Sequence, residues 1–440
     1  MAELILSGCR AEPIGSYLKA LGVFRLVAEQ LDAGVRGYWV GDTFAVDTAH
    51  STADIESFFL AQYVPTPVVA PWNGRMITAL EGGDQDLEAI EASTRTRLGP
   101  YREAIVAARK ALADARRRGI DPQSRSEKAS FIRLCRNWFP ELALRWLDAV
   151  AVLTQKDAVF PILTGGTGGN LGSGDLTLNF MQQLQHLLRE DGMAGKPTVE
   201  RLRQALWEEG SPRLLDAMIG QFDPGAAGGA NVGGKVVNPW DFVLLIEGAL
   251  VFTSGVARRF GFNQQGLAAL PFTVRATSAG YGSSAGDEST KGEVWAPVWR
   301  RPTGLTEIGQ LITEGRATWR GSQARTALDF ARAAGTLGVD RGIEHFVRHS
   351  VAIRLGQANL AIPVGRFVVR ERRGVPVLGQ LDGWLARVRR LSRLSAAITA
   401  GLRAVERALL AAADHPSPRE LQAVLSAVAS LETAVGRSGS

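Results

Sequence analysis

Between Val159 and Trp299 three glycine-rich stretches, TGGTGGNLGSG, DPGAAGGANVGGK and SAGYGSSAGDESTKG, lie between apolar segments. Glycine gives up more backbone freedom on ordering than any other residue, so helices and strands do not run through such stretches. Regular structure in this region is therefore confined to the apolar segments, and the connections between them are long. Loops of that length in a compact domain usually carry binding function or are disordered.

The rest of the chain gives clearer element signals. The first 70 residues read as a strand (Leu4 to Ser7), a helix (about Ile14 to Leu31), two strands (Tyr38 to Val40, Phe44 to Asp47) and a helix (Thr52 to Ala61), followed by an extended PTPVVAPW. Gly41 and Asp42 supply the hairpin turn between the middle strands. That order, with the extended stretch as a further strand, suits a ferredoxin-like unit. GPYREAIVAARKALADARRRGI predicts a helix with Pro100 near its first position and Gly119 just past its end. FIRLCRNWF and ELALRWLDAVAVL continue as helices broken at Pro140. NPWDFVLLIEGALVF predicts a buried helix capped by Asn238, with Pro239 and the acidic Asp241 in its first turn. At the C-terminal end, Leu391, Leu394, Ile398, Leu402, Val405 and Leu409 form one apolar stripe. Leu421, Val424, Leu425, Val428 and Leu431 form another after the cap Ser417, so an antiparallel helical pair is expected. The expected class is α+β: a mixed α/β N-terminal unit over residues 1–75 and a basic helical segment over 76–155. A glycine-rich α/β central region follows over 156–375, then a helical hairpin over 376–440.

At 440 residues and 45% hydrophobic content the chain can bury a large core. Its longest apolar run, FVLLIEGALVF, contains Glu247 and is too short to span a bilayer. The start, MAELILSGCRAEP, lacks the basic and apolar regions of a signal peptide, which makes the cytoplasm the expected location. Residues 95–145 hold 13 Lys/Arg against 5 Asp/Glu, a net +8, and residues 366–407 hold 10 against 3, a net +7. The remainder of the chain is acidic. Clustered arginine on an acidic chain is the electrostatic footprint of phosphate binding, although solvated helix faces give the same count.

Signals for bond-making chemistry are thin. GANVGGKV matches the spacing of a phosphate-binding loop at Gly229, Gly234 and Lys235, but Val236 replaces the hydroxyl residue that holds magnesium. Gly166 and Gly168 would need a third glycine where Leu171 stands to form a dinucleotide fingerprint. Cys9 and Cys135 make no disulfide framework or zinc site. His345 and His349 stand four apart, a spacing that can set two ligands on one helix face, yet no third ligand is apparent. No metal and no cofactor is expected. What remains is polar, aromatic and glycine-rich: APWNGR (Ala70 to Arg75), GGTGGN and KGEVWAPVWR (Lys291 to Arg300). In such sets Asn reads base edges and Lys or Arg holds phosphates, unless Trp72, Trp295 and Trp299 are core anchors.

Several of these stretches resemble one family. GCRAEPIGSYLKALGVFRLVAEQ, PTPVVAPWNG, GTGGN followed by LNFMQQL, NPWDFVLLIEGALVF, KGEVWAPVWRRP, and ALDFARAAGTLGVDRGIEHFVRH followed by GQANLAIPVGR occur here in this order. The same order is found in the large subunit of the type I-G (formerly I-U) CRISPR surveillance complex, and the likeness covers about residues 4–435. The resemblance implies a non-catalytic DNA- and RNA-binding subunit that recognises the protospacer-adjacent motif in double-stranded DNA, aids duplex opening and docks a helicase-nuclease. It implies as partners crRNA, target DNA, filament backbone subunits, a fused handle-binding and processing subunit and a separate small subunit, with no membrane. In related type I complexes the motif is read through the minor groove by a glycine-containing loop and a lysine. This makes Gly165, Gly166, Gly168, Gly169 and Asn170 the expected reading loop, with Lys235 or Lys291 as the finger, and Asn73 and Arg75 the expected contacts to the crRNA handle or a neighbouring subunit. The chain departs from the family at Leu171, where members usually carry Asp, and in the following GSG; the helical portion with which longer members end is expected to be absent, supplied separately or removed. The alternatives are a protein-only scaffold and a nucleotide-dependent enzyme acting on nucleic acid.

Overall fold

The computed structural model describes residues 2–154, 157–161, 163, 175–188, 196–209, 215–216, 236–252, 255–257, 267–269, 272–274, 290–314, 318–319, 322–323, 328–333, 342–354, 358–369, 379–391, 395–415 and 417–438. Helices and antiparallel sheets make an α+β chain. It divides into two compact units, residues 1–271 with 300–315 and 352–363, and residues 272–299 with 316–351 and 364–440. Neither coincides with segments drawn at 75, 155 and 375.

The first unit opens with β1 (Ala2–Arg10), α1 (Ile14–Gln30), β2 (Arg36–Val40) and β3 (Thr43–Thr48). Sheet order is β1-β3-β2 with antiparallel neighbours, so α1 crosses between two parallel strands and β3 fills the gap. Val40 faces Thr43 across a two-residue turn in which Gly41 has φ +61°, a conformation that costs glycine nothing. The helix expected over Thr52 to Ala61 is shorter. Ser51 and Asp54 close a capping box on α2 (Thr52–Ser57), and a π-helical turn, Phe58–Gln62, continues it.

The extended stretch after this turn is not a fourth strand. Pro65 and Pro67 have no amide proton to give to a ladder. Backbone groups of this stretch are instead satisfied by side chains. Gln30 receives the Val64 N–H at 2.9 Å and donates to the Val64 carbonyl at 3.0 Å. Thr66 N–H donates to Glu247 Oε1 at 2.9 Å, Tyr101 donates to the Val68 carbonyl at 2.9 Å, and Trp146 Nε1 donates to the Val69 carbonyl at 3.1 Å. The ladder a partner strand would have supplied is thus assembled from four other parts of the chain.

Helices follow: α3 (Gly74–Glu81), α4 (Gln85–Ala92), α5 (Gly99–Arg117), α6 (Lys128–Trp138), α7 (Glu141–Val150), α8 (Asp175–Leu187), α9 (Lys196–Trp207), α10 (Pro239–Ala249) and α11 (Leu305–Glu314). As the sequence predicts, Asn238 caps α10, its side-chain oxygen accepting from Trp240 N–H at 3.1 Å, with Pro239 next. The helix is apolar all round and buried almost throughout. It crosses α1 at backbone contact: a Cβ on Gly22 would stand 1.9 Å from the Leu244 carbonyl oxygen, and one on Gly248 would stand 1.7 Å from that of Leu18.

The second unit holds β4 (Thr273–Val274), β5 (Thr290–Trp299), β6 (Ile343–Arg354) up to Val351 and β7 (Ala358–Val368) from Val364 on; the sheet order is β4-β5-β6-β7. Trp295, Phe330, Phe346 and Phe367 pack on one another, with ring centroids 4.7 Å apart for Trp295 and Phe330 and 5.3 Å for Trp295 and Phe367. The unit ends in α12 (Asp382–Val388), α13 (Ala396–Asp414) and α14 (Pro418–Ser438). Ile398, Leu402, Val405 and Leu409 meet Val424 and Leu431, and Leu385 and Val388 of α12 join this core. Gly401, early on α13, lies against Leu431, late on α14, so the pair is antiparallel. The expected stripes are narrower than drawn. Ser395 caps α13, leaving Leu391 outside the helix and exposed, and Leu421 and Leu425 point away from the shared core.

Candidate nucleic-acid interface

The basic residues counted between 95 and 145 lie on α5, α6 and α7, the turns joining them and the turn just before α5, and their surroundings decide what the count means. Arg109 pairs with Glu91 of α4, with Nη2 to Oε2 at 2.8 Å. Arg116 pairs with Glu81 of α3, Arg136 with Asp148 of α7, and Arg145 with Glu29 of α1 at 2.7 Å. Arg102 donates to the Ser93 and Arg95 carbonyls, Arg97 to that of Leu60, and Arg133 to that of Thr154. Arg97 is half-buried beside Arg95, and burial pushes its guanidinium down to about 10. Glu29, Glu81, Glu91 and Asp148 all fall outside the counted window, so the net +8 along the sequence is not the charge the surface presents. These arginines fasten helices to one another.

The C-terminal end of α5 is different. Lys110 and Arg117 lie on its solvent side, as does the partly exposed Val106. Asp114 between them accepts from Arg117 Nη2 at 3.2 Å and from Arg118 Nε at 3.1 Å. Its other oxygen accepts the indole N–H of Trp138 at 3.4 Å. The hydrogen bond from Arg118, reinforced by Trp138 and Arg117, holds the Asp114 carboxyl below its usual range. Trp138, the last residue of α6, is 39% exposed, and the Lys110 ammonium lies 6.0 Å from its ring centroid. The arginine side chains remain 73% and 59% exposed. The result is a partly exposed indole with the Lys110 ammonium over its ring and its N–H edge on the carboxylate that Arg117 and Arg118 share.

Sequence reasoning gave no sign of Trp138. It follows Phe131 by seven and Cys135 by three, a spacing that puts it on the buried face of α6, but the helix stops there and its last side chain overhangs the core.

The expected site residues distribute as follows. Gly165, Gly166, Gly168, Gly169 and Asn170, and also Lys235, lie outside the described residues. Lys291 falls on β5, next to its first residue. Asn73 is buried as the N-cap of α3, its side-chain oxygen accepting from Arg75 N–H at 3.0 Å, so that oxygen is committed to the helix end. Arg75 is exposed on the first turn. Trp72, Trp295 and Trp299 are all core residues.

His345 and His349 are on strand β6 and not on a helix. A separation of four also returns to the same face of a strand, so the spacing was ambiguous. Both are buried, and burial pushes the His349 imidazole down to about 4. Cys9 is fully buried, and burial raises its thiol to about 12, so it is not a thiolate at neutral pH.

Neither a known family model nor a curated protein matches the chain. Among the described residues no group of three or more His, Cys, Asp or Glu could hold a metal ion. No described helix is long and apolar enough to cross a membrane.

One further cluster is buried. Arg25 of α1 reaches Glu247 of α10 at 3.1 Å and the Glu247 carbonyl at 2.7 Å. Tyr63 donates to Glu247 Oε1 at 2.6 Å, and Thr66 Oγ1 donates to Oε2 at 2.7 Å. Nearby, Lys19 of α1 pairs with Asp241 of α10 at 2.7 Å. Every lone pair on the carboxylate faces a donor, which is the arrangement of a structural lock.

Proposed function

We propose that this chain is the non-catalytic large subunit of a type I-G CRISPR surveillance complex, which recognises the protospacer-adjacent motif in duplex DNA, aids strand opening and docks a helicase-nuclease. Its partners on this reading are crRNA, target DNA, filament backbone subunits, the handle-binding and processing subunit and a small subunit. The observation that carries the reading is the order and extent of the resembling blocks. Three of them, far apart in sequence, supply Arg25, Thr66 and Glu247 to one buried cluster. The resembling blocks thus meet in one core of this chain, and likeness that spans a core supports a role of the whole subunit more than likeness confined to a loop.

The reading assigns motif recognition to the glycine segment ending at Asn170 and to Lys235 or Lys291, with bare backbone entering the minor groove and Asn or Lys meeting its acceptor-rich floor. In the complex reconstituted with crRNA, Asn170→Ala and Lys235→Ala are expected to weaken binding to motif-bearing duplex by ~1–3 kcal/mol per lost base contact. Binding to a duplex without the motif should change little. An equal loss on both duplexes removes the base-reading role.

The pairing of arginines on α5, α6 and α7 with the chain's own carboxylates favours a second reading, a scaffold whose partners are all proteins. The salt dependence of nucleic-acid binding separates the two.

A further inference from the structure

We propose that Trp138 is a stacking platform for an unpaired nucleobase, with Lys110, Arg117 and Arg118 holding the phosphates on either side, so that the α5–α6 corner binds single-stranded nucleic acid. The inference rests on the nucleic-acid reading above but concerns a different strand state and a different part of the chain.

A tryptophan at a helix end is ordinarily turned into the core, because its large apolar surface favours burial. Here 39% of the residue is left in solvent, and its N–H donates to Asp114 at 3.4 Å. Asp114 is in turn held by Arg117 and Arg118. That hydrogen bond restricts the ring, which lowers the ordering cost of placing a flat ligand against it.

The charges around the ring select the ligand. A purely apolar partner would leave Lys110, Arg117 and Arg118 facing an uncharged surface. A simple anion would make no use of the indole. An unpaired nucleotide strand carries a flat base and flanking phosphates together, and base stacking on an aromatic side chain beside a cationic track is the general mode of single-strand binding. Each arginine has five N–H donors, of which Asp114 takes one from Arg117 and two from Arg118, and both guanidiniums point into solvent. Duplex DNA presents its bases edge-on and stacked on each other, so it offers no free face to the ring.

The test uses the purified full-length chain and three fluorescein-labelled probes: a roughly 16-nucleotide oligothymidine, an abasic tract of equal length, and a duplex of equal length. Fluorescence anisotropy reads binding, and urea midpoints show that the variants fold. Trp138→Ala is expected to weaken oligothymidine binding by about 5- to 100-fold and to leave abasic binding unchanged, whereas Trp138→Phe retains most of the affinity. Lys110→Ala and Arg117→Ala are expected to weaken both single-stranded probes. The proposal is overturned if Trp138→Ala binds oligothymidine as the wild type does, or loses both single-stranded probes equally. It is also overturned if poly-glutamate displaces oligothymidine at lower charge concentration than oligothymidine itself does, since the corner then serves an acidic protein. Failure of the large-subunit reading would appear elsewhere, as a reconstituted complex indifferent to the motif in duplex DNA, with the Trp138 effect on the isolated chain intact.

Discussion

Glu247 is a fully buried carboxylate whose countercharge and three hydrogen-bond donors come from α1 and from the extended segment after the π-helical turn. Removing Glu247 leaves the buried Arg25 guanidinium with Glu29 as its remaining carboxylate and the Tyr63 and Thr66 donors without their acceptor, which costs more than the pair contributes. Glu247→Gln keeps the shape and one oxygen, and the expected loss is ~3–5 kcal/mol, read as a fall in urea midpoint. His349 gives a second expectation. Its imidazole stays neutral in the fold, whereas the unfolded chain takes up a proton below pH 6.5. A base held below its unfolded value favours folding fully above pH 6.5 and loses that contribution as pH falls from 6.5 to about 4, by ~3 kcal/mol in all. Burial raises the Glu293 carboxyl, and that opposing effect is present in wild type and variant alike. His349→Leu should therefore show a flatter decline of urea midpoint between pH 6.5 and 4 than the wild type. Residue-scale features of this kind were only partly legible. Asn238, Ser417 and Gly41 announce caps and a turn through local chemistry, but the Glu247 partner of Arg25 and the Glu29 partner of Arg145 lie far along the chain and leave no local mark.

At the scale of elements, the crossing of α1 and α10 depends on two hydrogens in place of two methyl groups. Gly248→Ala sets a Cβ 1.7 Å from the Leu18 carbonyl oxygen, and rigid backbone on both sides cannot yield without separating the helices. The expected cost is at least ~1–3 kcal/mol, the scale of an overpacked core. Gly436→Ala on α14 meets nothing within 4 Å and serves as the control, with a gain of up to ~1 kcal/mol from better helix propensity. Comparison of the two thermal midpoints checks both. Elements whose signals are local, such as α5 between Pro100 and Gly119, were readable in the sequence within a residue or two. The stretch after Gln62 was not, because a run rich in Val, Pro and Thr describes any extended segment, whether its partner is a strand or a set of side chains. The apolar stripes of the C-terminal pair were overdrawn for a related reason: periodicity marks a face, and only packing decides how wide a face is covered. Of the candidate site, the glycine segment and Lys235 stand out in sequence by composition, whereas Trp138 is disguised by falling on the apolar period of its helix.

For the whole molecule, an excess of base over acid translates into nucleic-acid affinity only through the cations left facing solvent. Arg102, Arg109, Arg116, Arg136 and Arg145 are tied to other segments of the chain, whereas Lys110, the exposed Arg125, and Arg117 and Arg118, which share the single carboxylate Asp114 of their own helix, are the cations counted here along residues 95–145. About three or four neutralised phosphates correspond to a slope of about −2 to −3 for the logarithm of single-strand affinity against the logarithm of salt concentration. Anisotropy titrations over a range of potassium chloride measure it directly. A slope near zero would favour the protein-only scaffold, and a much steeper one would mean that the helix-fastening arginines let go of their carboxylates on binding.

The lock around Glu247 also bears on synthesis. Arg25 and the backbone carbonyl it grips are 222 positions apart, so the ribosome needs roughly ten to forty seconds to deliver the second after the first. Throughout that interval α1 carries a cationic and largely apolar surface whose cover has not yet been made. The emerging N-terminal sheet cannot complete its interior on its own, and nascent chains stalled short of residue 247 should be the ones that recruit chaperones.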